Sequence, residues 1–179
     1  LRLGDEVSLR RYASADGQAK VGFYRTGFEP LYLGDLHLSI NEGKLYPVLS
    51  LHVEDYLLGV VPYEMSDSFP LEALKAQTIA ARTYVLRKAN SSKAYDVVDT
   101  TNDQVYYGNS DTTVNCTAAV DATKGIVLMN GSELTGTYYT ASNGGQTESA
   151  RNGFSSSGYG YLGIKDDPFD LMNAASVRR

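Results

Sequence analysis

Apolar and polar residues recur with two different periods along this chain, and the switch between them organises it. Up to about residue 50 the period is near two. Val7-Ser8-Leu9-Arg10-Arg11-Tyr12 partly alternates, and Leu31-Tyr32-Leu33-Gly34-Asp35 and His37-Leu38-Ser39-Ile40 follow as short β runs. Ala15-Asp16-Gly17 and Asn41-Glu42-Gly43 carry turn residues, the first leading into a hairpin return over 20–24 and the second into a strand over 45–51. From Glu54 the period lengthens. Glu54-Asp55-Tyr56-Leu57-Leu58-Gly59-Val60-Val61 predicts a short helix with acids at its positive end, closed by Gly59 and Pro62. The strongest helix signal spans about 70–89. There Leu71, Leu74, Thr78, Ala81 and Val85 recur at three- and four-residue spacing and make one buried face. Pro70 suits a first helical position, Ser68 or Phe69 falls at the cap, and Asp67 or Glu72 serves the N-terminal dipole. Ala73, Ala76, Ala80 and Ala81 keep the helix thin, and Asn90-Ser91-Ser92 closes it.

After this helix the strand period returns in pieces, at Tyr95 to Thr101 and at Gln104-Val105-Tyr106-Tyr107-Gly108. Residues 114–123 predict a second helix stopped by Gly125. Ile126-Val127-Leu128-Met129, the Asn130-Gly131 turn and residues 134–140 make the clearest hairpin. Residues 141–163 are rich in Gly and Ser, and a loop of that length in a compact domain is either functional or disordered. The expected fold is α+β: a β-rich body with one long central helix, a short helix before it and a second near 114–123. It reads as a single domain over 1–179, with a β-rich N-terminal part (1–50) and a core (51–170).

Composition narrows the function classes. Hydrophobic residues make up 42% and charged residues 21%, which is globular rather than disordered. With a formal net charge of −5 and no Lys/Arg block, nucleic acid is not an expected partner. No apolar run approaches the roughly 18 residues of a membrane span. The chain begins at Leu1 rather than Met, so trimming of a targeting segment is expected. Cys116 is the only cysteine and His37 and His52 the only histidines, a poor set for structural zinc; both histidines read as sheet residues. Fourteen tyrosines and no tryptophan suit pleated strands, and tyrosine also suits sugar binding through its apolar face and hydroxyl.

The candidate chemistry gathers around the long helix. Glu64 lies in Val60-Val61-Pro62-Tyr63-Glu64-Met65, between apolar neighbours and just before that helix. Burial disfavours a charged carboxylate, and a proton held near neutral pH is what a general acid needs. The local residues leave open whether Glu64 is such an acid or an ordinary loop carboxylate. Lys75 and Arg82 are seven residues apart, so they project in nearly the same direction about 10 Å apart along the axis. With Gln77 they either line a groove for an oxygen-rich substrate or form a solvated face with pairs such as Glu72–Lys75. Ser142-Asn143-Gly144-Gly145 either brings amides and hydroxyls against a ligand or simply makes a loop. A Ser-His-Asp site is not expected, and no phosphate-binding or dinucleotide motif is present.

These residues fall in a longer pattern. Val61-Pro62-Tyr63-Glu64-Met65, then Glu72-Ala73-Leu74-Lys75-Ala76-Gln77-Thr78-Ile79-Ala80-Ala81-Arg82-Thr83-Tyr84, resembles the stage II sporulation protein D family (the SpoIID/LytB domain). The likeness runs on through Asp99-Thr100-Thr101, Gln104-Val105-Tyr106-Tyr107-Gly108, residues 118–125, Tyr139-Thr140-Ala141-Ser142-Asn143-Gly144-Gly145-Gln146-Thr147-Glu148 and Asp166-Asp167-Pro168-Phe169-Asp170. It implies a bacterial peptidoglycan lytic transglycosylase that cuts the N-acetylmuramic acid–N-acetylglucosamine bond of glycan strands stripped of their peptides, in cell-wall remodelling during engulfment. The family's catalytic acid falls on Glu64. Its substrate-holding residues fall on Lys75, Gln77, Arg82, Tyr139, Ser142, Asn143 and Gly144. No cofactor and no metal are implied. The implied partners are glycan strands, a cell-wall amidase and membrane-anchored sporulation proteins. The implied location is extracytoplasmic, through an N-terminal anchor absent from this chain. Ser66 stands where the family often has Pro, a departure in the loop after the acid, and the chain stops soon after Asp170, where relatives usually continue. Some members are amidase enhancers, and the motif does not separate them from lytic ones.

Overall fold

A computed structural model describes residues 4–12, 19–22, 31–109, 113–155 and 158–173 of the chain. It contains both helices and strands, the α+β class expected. The chain forms two compact units, Leu1–Leu128 and Met129–Arg179.

Among the described residues of the first unit, five strands precede the first helix: β1 (Glu6–Leu9), β2 (Val21–Gly22), β3 (Leu31–Tyr32), β4 (Asp35–Asn41) and β5 (Lys44–Ser50). β1, β4 and β5 form an antiparallel sheet with β4 in the middle, while β2 and β3 pair separately. The β4–β5 hairpin turns at Glu42 and Gly43, with φ of 50° and 74°. Two successive positive φ values suit a two-residue turn between right-twisted strands. The expected return of the first strand over 20–24 does not form. Residues 21–22 pair with 31–32 instead, and β1 lies along β4 with Leu9 opposite Leu36. The seven-residue β4 has enough backbone groups to satisfy neighbours on both sides, which a two-residue strand has not. The Ala15-Asp16-Gly17 turn and residues 23 and 24 lie outside the described residues.

Four helices follow in this unit: α1 (Val53–Leu58), α2 (Val61–Glu64), α3 (Leu71–Lys88) and α4 (Val114–Ala122). His52 is not a sheet residue; it caps α1, its Nδ1 accepting the Glu54 N–H at 3.2 Å. His37 sits in β4 against Ser8 Oγ at 2.9 Å. Gly59 ends α1 as expected, but Pro62 opens α2 rather than closing α1. The missing N–H of proline falls in a first turn, where no intrahelical acceptor awaits it. α3 starts at Leu71 on Pro70, whose carbonyl accepts the N–H groups of Ala73 and Leu74, and no side chain caps it.

The core is where these helices meet. Leu57, Val60, Val61, Leu74 and Ala81 pack with Ala119 and Val120 of α4 and with Tyr106. Small residues at Ala81 and Ala119 let α3 and α4 lie close. Of the expected α3 face, Leu74, Thr78 and Ala81 are buried, Val85 is half-buried and Leu71 is exposed. The buried hydroxyls of Thr78 and Thr83 donate to the carbonyls of Leu74 and Ile79, both at 2.7 Å, so neither is left without a partner. Residues 95–101 and 104–108 form no strands. Gln104, Tyr106 and Gly108 are buried in alternation, but side chains hold them. Tyr56 donates to Gln104 Oε1 at 3.2 Å, and the Tyr56 and Tyr106 rings stack 5.3 Å apart. Of the described tyrosines only Tyr32 and Tyr46 lie in strands, so the strand reading of tyrosine does not hold for most of them.

The second unit holds β6 (Met129–Asn130), β7 (Glu133–Leu134), α5 (Ala150–Phe154) and α6 (Pro168–Met172). The hairpin is present but short, with Met129 opposite Leu134 and Gly131 at φ +63°. The Gly/Ser-rich stretch is partly ordered by its neighbours. Thr147 N–H donates to the Lys165 carbonyl and Asp167 N–H to that of Gly145, both at 2.8 Å.

Candidate functional site

Glu64 is the last residue of α2, a single turn held by N–H groups of Tyr63, Glu64 and Met65 on the carbonyls of Val60 and Val61. Met65 is extended, so the chain turns away directly after the acid. Val60 and Val61 are fully buried behind this turn, while Glu64 is half-buried. Among the described residues no hydrogen bond or ion pair is made to its carboxylate. The ring of Tyr63 meets that of Tyr107 edge-on at 5.0 Å, and Tyr107 is 46% exposed. A half-buried carboxylate with no hydrogen-bond partner among the described residues is placed to meet a ligand group that gives or takes a proton.

Both flanks of this turn are fastened. Upstream, Glu54 of α1 forms a two-pronged ion pair with Arg82 of α3, Nε to Oε1 at 3.0 Å and Nη2 to Oε2 at 2.7 Å. Burial alone would raise the Glu54 pKa; the hydrogen bonds from Arg82 and the Gly125 N–H, with the arginine charge, outweigh it and hold the carboxyl below its ordinary value. Downstream, Asp67 was expected to serve α3. It serves α4 instead, its Oδ1 accepting the Cys116 N–H at 2.7 Å while its carbonyl accepts from Asn115 Nδ2 at 2.9 Å. Burial pushes the Asp67 pKa up, and the hydrogen bonds from the Cys116 N–H, Thr113, the Cys116 thiol and the Asn115 N–H together outweigh it, so the carboxyl sits low. Cys116 is buried, and burial pushes its thiol pKa up, the setting of an inert thiol rather than a nucleophile.

The expected α3 residues do not share one environment. Lys75 is paired with Glu72 at 2.7 Å, one turn away on the surface. Gln77 has a buried Nε2 with no hydrogen-bond partner among the described residues. Arg82 is 0% exposed, and its donors go to Glu54, Thr123, Val120 and Ile126. The seven-residue spacing does point Lys75 and Arg82 the same way, but Lys75 lies at the surface while Arg82 is buried.

Tyr139, Ser142, Asn143 and Gly144 belong to the second unit. Tyr139 is 38% exposed. Ser142 Oγ and the N–H groups of Asn143 and Gly144 converge on Asp170 Oδ2 at 2.7, 2.9 and 2.7 Å. Asn143 Nδ2 also donates to Asp167 at 2.9 Å. The segment is therefore built to hold a carboxylate, and the carboxylate it holds is the chain's own. Gly144 at φ +73° and Gly145 at φ +96° give the backbone the bend this needs, and a Cβ at Gly145 would collide with Leu171.

The sequence named Glu54 only as an acid at the start of α1, Tyr107 and Asp170 only within longer motifs, and Asp67 only for α3. Their roles here carried no local signal, because Glu54, Asp67 and Asp170 act through partners at least 26 residues away. A shallow hollow of about 410 Å³ between Arg11, Asp35, Ser50 and His52 contains none of the expected site residues. Among the described residues no group of His, Cys, Asp or Glu is placed to hold a metal ion. Nor is any described helix long and apolar enough to cross a membrane.

The comparisons with known proteins agree on one relationship. A sequence model for the family described as Stage II sporulation protein (SpoIID) matches residues 41–130, a span that contains Glu64, Lys75, Gln77 and Arg82. An uncharacterized protein of Brachyspira hyodysenteriae is 40% identical over 137 residues, covering 74% of this chain and 36% of that protein. An amidase enhancer of Bacillus subtilis is 47% identical over 114 residues, 64% of this chain and 15% of the enhancer. Stage II sporulation protein D of Bacillus subtilis is 32% identical over 162 residues, 80% of this chain and 47% of that protein. The chain thus spans less than half the length of each of these relatives.

Proposed function

The chain belongs to the SpoIID family, and on that premise we propose that it is a peptidoglycan lytic transglycosylase acting on denuded glycan strands in cell-wall remodelling. The observation that carries the proposal is Glu64: half-buried, unengaged among the described residues, and presented by a turn fastened on both flanks. Protonated Glu64 gives its proton to the glycosidic oxygen as the bond from the N-acetylmuramic acid anomeric carbon breaks. The 6-hydroxyl of the same sugar closes on that carbon and returns a proton to Glu64, leaving a 1,6-anhydro end. One carboxylate serves both steps, unlike the paired acids of most glycoside hydrolases. Lys75 and Gln77 of the first unit hold sugar oxygens in this reading, and Tyr139 of the second unit is a sugar contact in its own right. The Lys75–Glu72 pair is worth only about 0.2–0.5 kcal/mol, so Lys75 exchanges it for a substrate oxygen at small cost. Ser142, Asn143 and Gly144 contribute by shaping the loop after Tyr139. The setting is extracytoplasmic, through an N-terminal anchor, alongside an amidase that strips peptides first and membrane-anchored sporulation proteins.

A second reading is favoured by the 47% identity to an amidase enhancer: a module that binds glycan and stimulates an amidase without cutting. Digestion of denuded strands followed by mass spectrometry separates the two. The enzyme yields 1,6-anhydro ends that vanish in Glu64→Gln. Binding without any product from folded wild-type protein would falsify the first reading and leave the second.

A further inference from the structure

Arg82 was expected to grip substrate, and its surroundings assign it other work. With no exposed surface it cannot reach a sugar carboxylate. Its Nε and Nη2 engage both oxygens of Glu54, its Nη1 donates to Thr123 Oγ1 at 3.3 Å and the Ile126 carbonyl at 3.1 Å, and Nη2 also lies 3.4 Å from the Val120 carbonyl. Glu54 Oε1 accepts the Gly125 N–H at 3.2 Å as well. One guanidinium thus ties three elements together: α1 through Glu54, α3 through its own backbone, and the end of α4 through residues 120–126.

The consequence reaches Glu64 because the connection is short and stiff. Only Gly59 and Val60 separate α1 from α2, and α2 is one turn ending at Glu64. Gly59 lies so close to the Tyr106 ring that a Cβ there would strike it, and Val60 is fully buried, so this link has no room to flex. The direction of α1 therefore sets the position of the acid. A buried ion pair is a poor source of net stability, since desolvation offsets its attraction, and its best-attested use is to fix registry.

We infer that Glu54 and Arg82 are positioning residues, a buried clamp that orients α1 and α2 so that Glu64 meets the scissile oxygen. The inference rests on the reading of Glu64 as the acid, and its test separates the two. Glu54→Gln and Arg82→Lys keep shape but loosen the clamp. In the full chain each lowers kcat on denuded glycan strands by roughly 10- to 100-fold, the order expected for a misplaced group. KM stays within about twofold, and the double variant is no worse than the weaker single, as expected for one coupled unit. Amide hydrogen exchange over 60–65 speeds up in both variants, while 71–88 keeps its protection. Arg82→Lys raising KM with kcat retained makes Arg82 a substrate contact and overturns the inference. So does unchanged exchange at 60–65 in both variants, whatever the activity. If wild type makes no 1,6-anhydro product the proposed reaction falls, and exchange alone decides the clamp. If both variants fail to fold, Thr123→Val, which removes one acceptor of Arg82, goes through the same measurements; it must show faster exchange at 60–65, and wild-type exchange there ends the proposal.

Discussion

Glu64 and Arg82 sit on elements that pack together, and replacing each has opposite consequences. The Glu64 carboxylate makes no hydrogen bond or ion pair among the described residues, so Glu64→Gln should leave stability within about 0.5 kcal/mol of wild type while abolishing product. Arg82→Met strands the Glu54 carboxylate in a pocket built for a cation, and breaking a buried pair costs about 3–5 kcal/mol. Urea denaturation at neutral pH measures both; an Arg82→Met change below about 1 kcal/mol would contradict the burial described for it. The sequence makes Glu64 a candidate because its signal is local: an acid among apolar residues ahead of a strong helix. It made Arg82 legible as a member of the pattern but not as to role. Two side chains seven residues apart point the same way, and nothing in the spacing says that Lys75 will meet the surface and Arg82 the core. That depends on Glu54, Thr123 and Ile126, which only the folded chain brings to it.

At the level of elements, α1, α2 and the segment 104–108 depend on close approach. Gly59 faces the Tyr106 ring, so Gly59→Ala forces ring or backbone to move, and overpacking of this kind costs about 1–3 kcal/mol. The denaturation midpoint should fall accordingly, and amide exchange should quicken over α1 and α2 before α3. A Gly59→Ala protein as stable as wild type would mean the contact is looser than its geometry. The long helices were readable because repeated spacing over many residues leaves few alternatives: α3 and α4 begin and end within a residue or two of where the pattern puts them. The segments 95–101 and 104–108 were misread as strands for a definite reason. Gln104, Tyr106 and Gly108 are buried in alternation, which reproduces a strand's period without a partner strand. Pro62 was misread because a proline that closes one helix and a proline that opens another look alike when only two residues separate the helices.

Taken as a whole, the molecule carries net negative charge and keeps several carboxyls in cation- or amide-rich surroundings, and this fixes how it responds to acid. In the first unit Glu54, Asp67 and Asp103 all sit below their ordinary pKa values. For Asp103, burial pushes upward and is outweighed by the Val98 N–H, Lys88 and Tyr84, the last two at 2.9 Å. In the second unit Glu148 is lowered by the N–H of Ser149 and the side chain of Asn152. A carboxyl whose folded value is depressed binds fewer protons in the folded than in the unfolded state. Its contribution is therefore complete above the unfolded value, about 3.9 for Asp and 4.3 for Glu, and is lost as pH falls through the folded value. Stability should hold level from neutral pH to about 5 and then decline steeply below about 4. Urea midpoints followed by helical ellipticity at a series of pH values trace this limb, and three of the four carboxyls place it mainly in the unit that holds α3. Glu54→Gln removes one titrating group, so its limb must be shallower than that of wild type while its neutral-pH midpoint is lower. Equal slopes for the two proteins would mean that the Glu54–Arg82 pair does not govern the acid response, and the tie between α1 and α3 would have to be sought in apolar packing alone.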